Sequence, residues 1–210
     1  MERAEYKKLK ALFGANFIGP FELSIISEKM GIIDPIQHSS LIPKLEISDE
    51  ELLSKSTSHI LLLFIPIFYD NSYLNICKLR NFHKIDPLIN EPCFYNQDWY
   101  VNEKFANNVL EKSCWYLINK QVAHDSRGLI PSEIERTKLH PALVLIYAFF
   151  INYFHSNEIL WENDFIWTSD VDANNDLVYV GRYIDPTGLA KNGFSIHRHL
   201  SITKQFGQLI

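Results

Sequence analysis

The chain has 210 residues, 47% of them hydrophobic and 21% charged, a balance that excludes a disordered tract and fits one large domain or two small ones. Its formal net charge of −5 argues against a nucleic-acid partner, whose binding depends on Lys and Arg neutralising phosphates. Cys77, Cys93 and Cys114 are the only cysteines; without a C-x-x-C pair they make no disulfide framework and imply free thiols in a reducing compartment.

The first residues, Met1 to Lys7, are charged and lack the apolar core of a signal peptide, so a cytoplasmic location is expected. Tyr6, Leu9, Leu12 and Phe13 recur at helical spacing and predict a helix over 2–13 that stops at Gly14. The basic residues Arg3, Lys7, Lys8 and Lys10 read as the solvated face of that helix. Pro20 is a first-turn residue, and Leu23, Ile26 and Met30 carry a second helix to Gly31.

Residues 32–47 hold Pro35, Pro43, Ser39 and Ser40 without periodicity and predict a loop. The S-x-x-E spacing of Ser48 and Glu51 marks a short helix to about Lys55. Ile60 to Phe68 reads as a core strand, and 81–98, with Pro87 and Pro92, as a long irregular connection. Cys114 to Ile118 predicts a strand, Asp125 to Gly128 a turn, and Ser132 with Glu135 a second capping box.

Pro141 opens a buried helix whose run from Ala142 to Phe154 contains Asn152 and falls short of the roughly 20 residues that span a bilayer. No membrane span is expected. Strand-like segments follow at Phe165–Trp167, Leu177–Val180 and Phe194–Leu200, separated by Asp/Asn-rich and Asp-Pro-Thr-Gly turns. The expected fold class is therefore α+β: N-terminal helices and a core helix packed on a small, mostly antiparallel sheet. Residues 1–210 read as a single domain, with a subdivision into 1–80 and 99–210 as the alternative.

The signatures of P-loops, dinucleotide folds, α/β-hydrolases and zinc proteases are absent. Asp170, Asp172, Asn174 and Asp176 alternate like the first half of a calcium loop, but the glycine and glutamate that complete an EF-hand are replaced by Asn175 and Gly181, so a turn between two strands is expected and calcium is the alternative. Cys114 with His124 and Asp125 holds the residue types of a thiol nucleophile with its base and orienting carboxylate. A cysteine opening an apolar strand also reads as core packing, which would leave the thiol hidden and inert. His197 and His199 project from one face of a strand, where a metal would need a third ligand that no nearby pair supplies. No cofactor and no metal are expected.

Asn16–Leu23, Trp115–Ile118, Tyr147–Phe154, Trp167–Asp172, Val178–Gly181 and Gly193–Ser195, in that order, resemble a group of uncharacterised, phage-like bacterial proteins. The C-terminal third of that group looks similar to the C-type-lectin-like variable proteins of diversity-generating retroelements, and the resemblance implies a lectin-like C-terminal part that displays a binding surface. Between Gly181 and Gly193 this chain lacks the Trp-containing stretch of that group, so the resemblance carries no individual binding residue. Two functions follow as expectations: a non-enzymatic domain that binds a protein or small-molecule ligand, and alternatively a hydrolase or transferase built on Cys114, His124 and Asp125.

Overall fold

The computed structural model describes residues 2–162, 164–183, 187, 192–198 and 205–209. They form an α+β protein with six α-helices and two sheets of mixed strand direction. Packing divides the chain into two compact units, Met1–Leu74, Val109–Lys120 and Ile151–Glu158 in the first, Asn75–Asn108, Gln121–Phe150 and Ile159–Ile210 in the second.

In the first unit, α1 (Arg3–Phe13) is amphipathic and buries Leu9 and Phe13. Strand β1 (Phe17–Ile18) follows, and α2 (Pro20–Met30) ends at Gly31, whose left-handed φ of 68° favours glycine. Helix α3 (Asp49–Lys55) is capped by Ser48 Oγ, which accepts the Glu51 backbone N–H. Strand β2 (His59–Phe64) is buried at every position because it is the central strand, parallel to β1 and antiparallel to β3 (Cys114–Asn119). Leu9, Phe13, Phe17, Leu52 and Leu61 form one core cluster of this unit, and Trp115 stacks on Phe17 at 6.0 Å.

The second unit begins with α4 (Ile76–His83), capped by Asn75, and the one-turn α5 (Lys104–Asn107). Helix α6 (Ala142–Ser156) is buried from Ala142 to Asn152; its residues to Phe150 belong to this unit and the later ones to the first. Strands β4 (Phe165–Val171), β5 (Leu177–Tyr183), β6 (Gly193–His197) and β7 (Phe206–Gly207) lie in the order β6-β5-β4-β7, with only β4 and β7 parallel. One aromatic cluster joins Trp167, Tyr179 and Phe206, and another joins His83, Phe94, Phe149, Phe150 and Phe194.

Three local expectations change. The strand predicted from Ile60 to Phe68 ends at Phe64, before Pro66, and beyond it Ile67 and Phe68 form only isolated bridges. The Ser132–Glu135 spacing starts no α-helix, only turns and a 3-10 segment at Arg136–Lys138 shortly before Pro141. The strand predicted to reach Leu200 ends at His197, and residues 199 and 200 lie outside the described set.

Candidate functional site

The residues expected to carry chemistry are spread over both compact units. Cys114 is exposed rather than packed, which corrects the expectation of a hidden thiol. It opens β3, an edge strand whose other face-sharing residues, Tyr116 and Ile118, gain cover only further along. Cys114 belongs to the first unit, whereas His124 and Asp125 lie exposed in a 3-10 turn of the second. The neighbouring Ser126 is the buried member of that turn: its hydroxyl donates to Ala123 O at 2.8 Å and accepts the Gln208 N–H at 2.8 Å.

The Asp-rich segment forms the β4–β5 hairpin turn, with Asn175 at a positive φ of 66°. Its carboxylates serve different partners. Asp170 Oδ2 accepts the Ala142 N–H at 2.7 Å, while Asp172 accepts the Asn174 and Asp176 N–H groups and the Arg198 guanidinium. His197 is partly packed, stacked against Tyr179 at 5.6 Å, and burial pulls its pKa down to about 4. His199, its expected companion, lies outside the described residues. Among the described residues no three His, Cys, Asp or Glu side chains are grouped to hold a metal ion, and no helix is long and apolar enough to cross a membrane.

A different place in the first unit has the character of a ligand site. Helix α2 starts from Gly19, where an added Cβ would stand 2.6 Å from the Phe17 ring, so the absence of a side chain leaves room for that ring. Glu22 then reaches back from the first turn and accepts the Gly19 N–H at 3.1 Å, satisfying one of the orphan donors of the helix. The same carboxylate, 5% exposed, accepts Tyr6 Oη and Lys10 Nζ, both at 2.8 Å. Burial pushes the Glu22 pKa up, but the bonds from Lys10 and Tyr6 outweigh it and hold the carboxyl below the ordinary range. Burial and the bond to Glu22 push the Tyr6 phenol up to about 12, so it stays a neutral donor near neutral pH. His155 has its pKa lowered by burial and by Lys10, against the opposing pull of Glu22.

Tyr6 forms the wall between this buried charge centre and an open groove of about 650 Å³, within the roughly 300–1,000 Å³ common to small-molecule sites. Its ring is locked edge-on against Phe17 at 5.4 Å and Phe21 at 4.9 Å. Pro20, Phe21, Ile36 and Ile42 supply the apolar lining, Ser39 a hydroxyl, and Arg3 and Lys7 two cations. Phe21 and Ile36 are 53% and 41% exposed, and both converge on one concavity rather than standing alone on the surface. A second hollow beside it is lined by charges of both signs, Glu2, Glu5, Lys8 and Lys44, with no aromatic among its described lining residues.

Sequence reading missed this groove because its parts come from α1, α2 and the 32–47 loop. The available signal was Phe21, an aromatic standing off the apolar face that Leu23, Ile26 and Met30 form on α2. The basic residues of α1 do not form one solvated face: Lys10 turns inward to Glu22. Compared with protein-family models, with curated proteins and with solved structures, the chain matches none.

Proposed function

We propose that the chain is a non-enzymatic binding protein that takes a small, largely apolar ligand into the groove between α1, α2 and the 36–42 segment. The observation that carries this reading is the convergence of Tyr6, Phe21, Ile36 and Ile42 on one concavity whose aromatic wall is already fixed by the Tyr6–Glu22 hydrogen bond. A pre-positioned wall spares the ordering cost that ligand binding would otherwise meet. The proposal extends to a bacterial origin and to a lectin-like C-terminal part, which the resemblance of the C-terminal third supports and which implies the same class of role.

Titration of the full chain with the neutral fluorophore N-phenyl-1-naphthylamine tests the reading. Saturable, one-to-one enhancement is expected, weakened at least tenfold by Phe21→Ser combined with Ile36→Ser. Both side chains are substantially exposed, so the variant should keep its fold, which far-ultraviolet circular dichroism checks. Absence of saturable enhancement in the wild type, or equal binding by the variant, would exclude the groove as the site.

A further inference from the structure

Of the basic residues on α1, Lys8 is paired with Asp49 at 2.6 Å and Lys10 with Glu22 at 2.8 Å. Arg3 and Lys7 form no ion pair with any described residue, and both line the groove. They stand four residues apart, hence on one face of the helix, and among the described residues no carboxylate lines the groove with them. The nearby Glu22 does not offset them, because its oxygens already accept from Tyr6, Lys10 and Gly19. The described lining therefore combines apolar Phe21, Ile36 and Ile42 with two cations that form no ion pair with a described residue.

Resting on the proposal that this groove is a binding site, we infer that its occupant is a free single-chain aliphatic carboxylate, with its tail along Phe21, Ile36 and Ile42 and its head between Arg3 and Lys7. Charge complementarity chooses the head: an anion meets two unpaired cations, and a planar carboxylate suits the guanidinium fork of Arg3. The concave shape favours a free molecule over a bilayer, since a membrane-binding surface projects its apolar side chains and usually gathers about 4–8 basic residues. Ser39 places a hydroxyl within the same lining.

The test uses the full chain and isothermal titration with dodecanoate, dodecanol and dodecyltrimethylammonium, each below its micelle concentration. Dodecanoate should bind roughly tenfold more tightly than dodecanol, as expected for two solvent-exposed charge contacts, and the preference should shrink as salt rises. Dodecyltrimethylammonium should bind most weakly. In Arg3→Gln/Lys7→Gln the ratio of dodecanoate to dodecanol affinity should fall towards one, with the melting temperature confirming the fold.

Equal affinity for dodecanoate and dodecanol in the wild type would overturn the inference while leaving the groove as a site for neutral ligands. No binding of any of the three would overturn both readings. Sedimentation with vesicles of phosphatidylcholine and phosphatidylglycerol separates the free ligand from a membrane source: capture of the wild type but not of the double variant would replace the free carboxylate with a lipid surface.

Discussion

Asp170 Oδ2 accepts the backbone N–H of Ala142 at 2.7 Å, so a carboxylate near the end of β4 satisfies an orphan donor at the start of α6. Burial raises the Asp170 pKa, opposed by this bond, so the charge itself costs stability at neutral pH while the hydrogen bond contributes it. Asp170→Ala should destabilise by about 1–2 kcal/mol, the usual worth of a helix cap. Asp170→Asn keeps an acceptor without the charge and should cost less. Urea unfolding of the two variants checks the order, and equal losses would mean that the bond to Ala142 is not what matters at this position.

Glu22 is the buried anion of the first unit, and its contribution has a defined pH dependence. With a folded pKa held below the ordinary value of 4.5, the unfolded chain takes up the proton first as pH falls. The stabilisation is therefore present above about pH 4.5 and lost as pH drops through the folded pKa. Glu22→Gln should cost about 1.5–3 kcal/mol at pH 7, the worth of hydrogen bonds to a charged group. The gap between wild type and variant should narrow at pH 3. A gap that stays constant over this range would rule out the charge as the source of the effect.

Much of the fold was legible where a local rule and the tertiary environment agree. Ser48 with Glu51, Pro20 with Gly31, and the apolar run after Pro141 each placed a helix close to where it lies, because caps and periodicity act within a few residues. Strands β1 and β7 have two residues each, too few to show alternation, and exist through their parallel partners Leu61–Leu62 and Phe165–Ile166. Helix α4 was missed although Asn75 caps it and Ile76, Leu79 and His83 supply its buried face. The groove was least legible: no window of the sequence brings Arg3, Phe21 and Ile36 together. Cys114 shows the converse, since its exposure depends on β3 lying at a sheet edge, which its own apolar neighbours do not reveal.

His83 packs face to face with Phe150 at 4.2 Å and is 6% exposed, and burial pulls its pKa down to about 3. Native His83 stays neutral while the unfolded chain binds a proton below about pH 6.5. Stability should therefore fall as pH drops from about 6.5 towards 3, with about 2 kcal/mol of that loss present at pH 5. His83→Phe removes the titrating group, and its unfolding free energy should change less between pH 7.5 and pH 5 than that of the wild type. Identical changes in both proteins would place the acid sensitivity elsewhere.

Cys114 is exposed, Cys77 half-buried and Cys93 buried. One thiol per native chain should therefore react fast with a disulfide reagent at pH 8, and Cys114→Ser should abolish that phase. As a surface change the substitution should alter stability by no more than about 0.5 kcal/mol. Fast labelling that survives in the variant would mean that Cys77 or Cys93 opens readily.

Asp172 tests the hairpin against the calcium alternative. Its side chain is fully buried, Oδ1 accepts the Asn174 and Asp176 N–H groups at 2.8 and 3.0 Å, and Oδ2 takes the Arg198 guanidinium at 2.7 Å. Arg198 in turn lies 3.5 Å from Glu103 and 4.5 Å above the Trp99 ring. Both Asp172 carboxylate oxygens thus already accept from protein donors, and a cation at this carboxylate would compete with Arg198. Burial raises the Asp172 pKa, but Arg198 and the two backbone donors outweigh it and hold the carboxyl below 3.8, so it stays ionised for Arg198 across the neutral range. Asp172→Ala should cost about 2–3 kcal/mol because it strips a charged hydrogen bond and unties the turn. Millimolar calcium should leave the melting temperature of the wild type unchanged. A bound ion at a hundredfold excess over its Kd would add about 2.7 kcal/mol and raise that temperature by several degrees. Such a rise, abolished in Asp172→Ala, would show that the hairpin exchanges its arginine for a metal.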